Sequence, residues 1–124
     1  MKSIILLDDD EIAQIISKKM ISLVRPDSKT TCFFSPIACT AFLESMNDSN
    51  QCILFSDLNL PDTDGWTFLS DIITRKLLNP SQIVVLTSEE LCEEGREIKS
   101  KLGIKHCVPK PLSTDFLEKH LRNI

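Results

Sequence analysis

CILFSDLNLPDTDG, residues 52–65, is the stretch from which the rest of the chain can be read. It opens on Cys52, Ile53, Leu54 and Phe55, none with a polar side chain, and then meets a carboxylate at Asp57. Asn59, Pro61, Asp62, Asp64 and Gly65 crowd the loop that follows. A continuous apolar run of this length reads as a strand buried on both faces, as in a parallel sheet covered by helices. Such a strand ends at its carboxyl edge, where open α/β sheets place their ligand crevice. Asp57 is therefore expected at the mouth of a crevice, on a rigid strand. Taken alone, it reads equally well as a solvated turn aspartate.

The other apolar runs end in the same way. Ser3–Leu7 (SIILL) runs into Asp8, Asp9 and Asp10, and Ile83–Leu86 (IVVL) into Thr87 and Ser88. The weaker run Lys105–Pro109 meets Lys110 and Pro111. If these strands are parallel and adjacent, acids, hydroxyls and a lysine converge on one rim.

A chain of 124 residues is one domain with a sizeable core, expected to span 1–124 with no output domain. Its hydrophobic content of 42% and charged content of 26% are ordinary for a soluble globular protein. The net charge is −4, and no run of Lys or Arg exceeds two residues. The basic stripe of a nucleic-acid binder is missing, so no nucleic-acid partner is expected. Five cysteines (Cys32, Cys39, Cys52, Cys92, Cys107) form no CxxC pair. An odd count without a framework points to a reducing compartment. The apolar start of the chain is too short for a signal peptide, and no later stretch could span a membrane. The expectation is a cytoplasmic protein without a membrane partner.

Helical periodicity fills the gaps. Ile12, Ile15, Ile16, Met20, Leu23 and Val24 fall on one face and predict a first helix packed through them, ended by Arg25-Pro26-Asp27. Thr30–Phe34 predicts a strand. Ser35-Pro36 is a helix start, with Ala38, Ala41, Phe42 and Met46 inward and Asn47–Asn50 as a polar loop. Asp64 can cap a helix carrying Phe68, Leu69, Ile72, Ile73 and Leu77, which Asn79-Pro80 breaks. The helix at 89–102 has a thin stripe (Leu91, Gly95, Ile98, Leu102), ends at Gly103, and is expected to be the most mobile. Ser113 caps a last helix with Phe116, Leu117, His120 and Leu121 inward. The pattern is (βα)5, an α/β fold with a doubly wound parallel sheet and helices on both faces.

Carboxylates crowded at one rim repel each other, and a hard divalent cation removes the conflict. Mg²⁺ takes oxygen ligands, typically one or two carboxylates plus phosphate oxygens and water. Asp9 and Asp57 suit direct ligation and Asp8 ligation through water. Thr87 and Lys110, a hydroxyl and an ammonium, suit the oxygens of a phosphoryl group in transfer. Asp57 can serve as the nucleophile, giving an aspartyl phosphate.

On these residues the chain resembles, from end to end, the receiver domain of two-component response regulators. The matching features are the acid pair Asp8, Asp9 in LLDDD, the D-x-x-x-P-x-x-D-G motif (Asp57, Pro61, Asp64, Gly65), Thr87-Ser88 in VVLTS, and Lys110-Pro111 in VPKPLS. The resemblance implies a flavodoxin-like five-stranded sheet of order 2-1-3-4-5 and Mg²⁺-dependent transfer from a phosphohistidine to Asp57. It further implies the backbone carbonyl of Asn59 as a metal ligand and a cis Lys110–Pro111 peptide. The partners implied are a sensor histidine kinase or histidine phosphotransfer protein and a downstream protein target, or a phosphorelay acceptor. No turnover of an external substrate is expected. One position departs from the family. Receivers usually carry Tyr, Phe or His three residues before the lysine, where this chain has Cys107. Without that aromatic, residues 87–103 are expected to be the element that shifts.

Asp8-x-Asp10 after an apolar strand also resembles the first motif of haloacid-dehalogenase-like phosphatases, an alternative in which Asp8 and Asp10 are nucleophile and acid/base. That alternative leaves Asp57–Gly65 without a role.

Overall fold

The computed structural model describes residues 3–46, 51–60 and 63–121. Pro61, Asp62 and the expected loop Asn47–Asn50 lie outside the described residues. Strands β1 (Ser3–Leu7), β2 (Lys29–Phe33), β3 (Cys52–Asp57), β4 (Ile83–Thr87) and β5 (His106–Pro109) alternate with helices α1 (Glu11–Val24), α2 (Pro36–Ser45), α3 (Gly65–Thr74), α4 (Glu93–Leu102) and α5 (Thr114–Leu121). The five strands form one sheet in the order β2-β1-β3-β4-β5, every pair parallel. This is the expected doubly wound, flavodoxin-like architecture.

The sheet separates two apolar layers. Ile5, Leu7, Leu54, Ile83 and Val85 face Cys39 and Leu43 of α2 and Phe68, Leu69 and Ile72 of α3. Ile4, Leu6, Phe55, Val84 and Leu86 face Ile21 of α1 and Leu117 and Leu121 of α5. Side chains alternate faces along a strand, and here both faces are covered, which is why the runs SIILL, CILF and IVVL carry no polar partner set. The strands are legible for that reason.

Local chemistry fixes the ends of the helices. Asp10 caps α1, accepting from the Ile12 and Ala13 amides, and Ser35 caps α2 by accepting from the Ala38 amide. Gly103 follows α4 in the left-handed conformation at φ 81°, which costs glycine no Cβ clash. Asp64 stands at the N-cap of α3, but its side chain caps no amide and instead accepts from the Thr67 hydroxyl at 3.4 Å.

The expected inner face of α1 holds only in part: Met20 and Val24 are half-buried against the core, but the other four residues are not. Ile12 is 68% exposed and Ile15 63%, and Ile16 and Leu23 are exposed too. Gln14, Ser17 and Ile21 face the core instead. The Gln14 side-chain amide donates to the carbonyls of Leu6 (3.4 Å), Asp8 (3.2 Å) and Phe33 (2.7 Å). Buried carbonyls without donors are costly, so this clamp on the ends of β1 and β2 sets the rotation of the helix. In α2 the buried residues are Pro36, Cys39 and Leu43, with Phe42 and Met46 half-buried and Ala38 and Ala41 exposed.

Candidate phosphoryl-acceptor site

Leu7 pairs with Ser56 across β1 and β3. The next residues, Asp8 just past β1 and Asp57 at the last position of β3, therefore stand side by side. Thr87 pairs with Pro109 across β4 and β5, and the Lys110 amide continues the ladder by donating to the Thr87 carbonyl at 2.9 Å. Parallel pairing thus brings the ends of β1, β3, β4 and β5 to one rim.

Carboxylate oxygens of Asp8, Asp9 and Asp57 lie within 4.8 Å of one another. Asp57 is 1% exposed and Asp8 3%, whereas Asp9 is exposed. The Lys110 ammonium reaches in from β5, donating to Asp57 Oδ2 at 2.8 Å and lying 2.9 Å from Asp8 Oδ2. Asp57 Oδ1 accepts from the Asn59 amide at 3.1 Å, and Asp8 Oδ1 from the Asp10 amide at 2.9 Å. The Lys110–Pro111 peptide is cis, as the resemblance implies.

The electrostatics follow from burial and crowding. Burial pushes the Asp8 carboxyl above the ordinary range, against the pull of Lys110 and the Asp10 amide, and the charge of Asp57 adds to the rise. Burial pulls the Lys110 ammonium down, but the hydrogen bonds and charges of Asp57 and Asp8 outweigh it, and the net shift is upward. The rim therefore carries a permanent cation between two of three acids.

The donor set fits a hard divalent cation. It offers only oxygen ligands, and the buried Asp8 Oδ2 has only the Lys110 ammonium, 2.9 Å away and shared with Asp57, to meet its charge. Beside Asp9, a cavity of about 440 Å³ is lined by Leu58, Asn59, Leu60, Thr63 and Asp64. Its wall is held tight by Gly65, where a Cβ would meet the Leu58 Cα at 2.5 Å.

Thr87 stands at the end of β4, but its hydroxyl donates to the Glu89 carbonyl at 2.5 Å and accepts from the Glu89 amide at 3.2 Å. It is engaged with its own loop. Cys107 is half-buried toward the α2, α3 and α4 layer, and burial raises its thiol. His106 points to the other face, its ring 3.9 Å from that of His120 on α5. None of the five cysteines forms a disulfide. Gln14, the clamp beneath the Asp8 turn, escapes an apolar periodicity search, although 14, 17 and 21 share helical spacing.

The family model of the response regulator receiver domain matches residues 4–122. The chain belongs to that family. Phosphorylation at an aspartate is the function of receivers. A receiver domain protein (CheY-like) from Methanospirillum hungatei JF-1 superposes with a TM-score of 0.80 at 16% identity, covering 99% of this chain and 92% of that one. The chemotaxis protein CheY4 of Vibrio cholerae gives 0.77 at 20% identity, covering 100% and 98%. The receiver domain of a DNA-binding response regulator (merR) from Colwellia psychrerythraea 34H gives 0.79 at 21%, covering 99% and 97%. At these identities the superpositions show a shared fold. No curated protein matches this receiver by sequence.

The phosphatase alternative finds no support in these relatives. The geometry also speaks against it, because Asp10 points its carboxylate onto the first turn of α1 as a cap and stands outside the acid cluster.

Proposed function

We propose that Asp57 of this receiver accepts a phosphoryl group from the phosphohistidine of a sensor histidine kinase or a histidine phosphotransfer protein. The observation that carries this reading is the convergence of three carboxylates and one ammonium around Asp57, at the end of the central strand. An Asp57 oxygen bonds to phosphorus as the P–N bond to imidazole breaks, and the imidazole leaves with the bonding pair.

Asp8, Asp9, Asp57 and the Asn59 carbonyl would hold Mg²⁺, which when bound neutralises charge on the phosphoryl oxygens and the acids. Lys110 stays charged at neutral pH and supplies a second positive contact to the phosphoryl oxygens. Thr87 can reach them only by giving up its bond to Glu89, so its loop is coupled to phosphorylation. The protein turns over no external substrate. It acts in the reducing cytoplasm through a protein target, or by passing the phosphoryl group on.

Incubation with acetyl phosphate and Mg²⁺, followed by intact-mass measurement, tests the assignment. The wild type should gain one base-labile phosphoryl group, and Asp57→Asn should gain none. Equal phosphorylation of Asp57→Asn would place the acceptor elsewhere.

A further inference from the structure

Gln14, in the first half of α1, is 4% exposed. The two N–H groups of its amide face three carbonyls, those of Leu6, Asp8 and Phe33. The Phe33 carbonyl also accepts from the Asp8 amide at 3.2 Å. The backbone of Asp8 is therefore held at both ends, its N–H on Phe33 and its carbonyl on Gln14. On the same side chain, Oε1 is buried with no hydrogen-bond partner. Turning the amide over would aim that oxygen at three others, so the donors can face only one way. The fold accepts an unpaired buried acceptor, which is costly, and keeps two donors beneath the Asp8 turn.

What depends on that turn is Asp9. The Asp8 carbonyl and the Asp9 amide belong to one planar peptide unit, so holding the carbonyl fixes the direction in which the chain enters Asp9. Asp8 and Asp57 have other restraints, since each accepts from a backbone amide and each meets Lys110. The Asp9 carboxylate is exposed, and among the described residues it forms no hydrogen bond or ion pair. Its place within 4.8 Å of the other two acids rests on its backbone. Mg²⁺ demands near-ideal octahedral geometry, so a rotation of that one peptide would spoil a ligand.

We propose that Gln14 is a positioning residue of the acceptor site, setting through the Asp8–Asp9 peptide the angle at which Asp9 meets Mg²⁺. This role rests on Asp8, Asp9 and Asp57 being the Mg²⁺ ligands, and gives them a support that touches neither metal nor phosphoryl group. It is separate from the part Gln14 plays in packing. Packing fixes the rotation of α1 and is read in stability, whereas positioning is read in the metal affinity of a protein already folded.

The test is a titration of the wild type, Gln14→Met and Ile21→Ala with Mg²⁺ alone, followed by the amide NMR shifts of Asp9 and Asn59 at a temperature where all three are folded. Met keeps the length of Gln and removes the donors. Gln14→Met should bind Mg²⁺ about tenfold or more weakly, as outer-shell substitutions at metal sites do. It should also displace the Asp9 and Asp10 amide resonances before any metal is added. Ile21→Ala removes packing from the same helix and takes no part in the turn. It should melt earlier yet keep its Mg²⁺ affinity within about twofold, as distant sites act independently. Should Gln14→Met fail to fold, Gln14→Asn, whose amide stops a methylene short of the carbonyls, takes its place with the same expectation. A Gln14 variant that binds Mg²⁺ as tightly as the wild type, or an equal loss in Ile21→Ala, overturns the proposal and leaves Gln14 a packing residue. A wild type with no saturable shift at Asp9 would instead remove the ligand reading and the proposal together, while labelling of Asp57 by acetyl phosphate reports the acceptor separately.

Discussion

Gly65 is required by space. Its amide donates to the Leu58 carbonyl at 3.1 Å, and an added Cβ would stand 2.5 Å from the Leu58 Cα and 2.7 Å from its carbonyl oxygen. Those are backbone atoms and cannot swing aside. Gly65→Ala is expected to push the 58–64 segment off α3, at a cost of about 1–3 kcal/mol, seen as a lower urea midpoint and slower phosphorylation by acetyl phosphate. An unchanged midpoint would mean that the loop yields freely. The sequence makes this glycine conspicuous as part of a motif, but the contact that demands it joins two residues whose approach only the folded loop creates. Asp57, Lys110 and the acid pair were legible because each follows a strand whose apolar run stops abruptly. Gln14 was not, because its value lies in carbonyls at Leu6, Asp8 and Phe33 that no local pattern announces.

At the scale of elements, strands and helices differ in how far sequence reaches. A strand covered on both faces declares itself by having nothing polar in it, and β1, β3 and β4 fell where expected. A helix covered on one side must also be given a rotation, and counting apolar residues fails when they exceed what one face can hold. In α3 and α5 the stripe and the buried face agree, with Phe68, Leu69 and Ile72, and Leu117 and Leu121. In α1 the Asp10 cap and the Gln14 clamp decide instead, leaving Ile12, Ile15 and Ile16 outside and Ile21 in the core. Ile21→Ala should therefore cost about 2–5 kcal/mol. Ile15→Ala should stay within about 0.5 kcal/mol. Equal losses in denaturant melts of the two variants would restore the face that periodicity suggested.

For the whole molecule, the (βα)5 alternation came from pattern, but the strand order came from family resemblance, since periodicity does not say which strands are neighbours. The rim it creates holds three carboxylates against one ammonium, an excess of negative charge that the folded state maintains and the unfolded chain does not. A cation binding there stabilises the folded state by mass action. Millimolar Mg²⁺ should raise the melting temperature, and Asp9→Asn should lose most of that rise while melting close to wild type without metal, because Asp9 is exposed. A full Mg²⁺ response in Asp9→Asn would exclude it as a ligand. The order β2-β1-β3-β4-β5 also bears on how the chain is made. As it leaves the ribosome, β2 joins one side of β1, β3 the other, and β4 and β5 extend that side in turn. No strand has to part a pair already formed. Lys110 follows all five strands in the chain, so the acids at the ends of β1 and β3 wait through most of synthesis for their counter-charge, and only α5 is still to be made when it arrives.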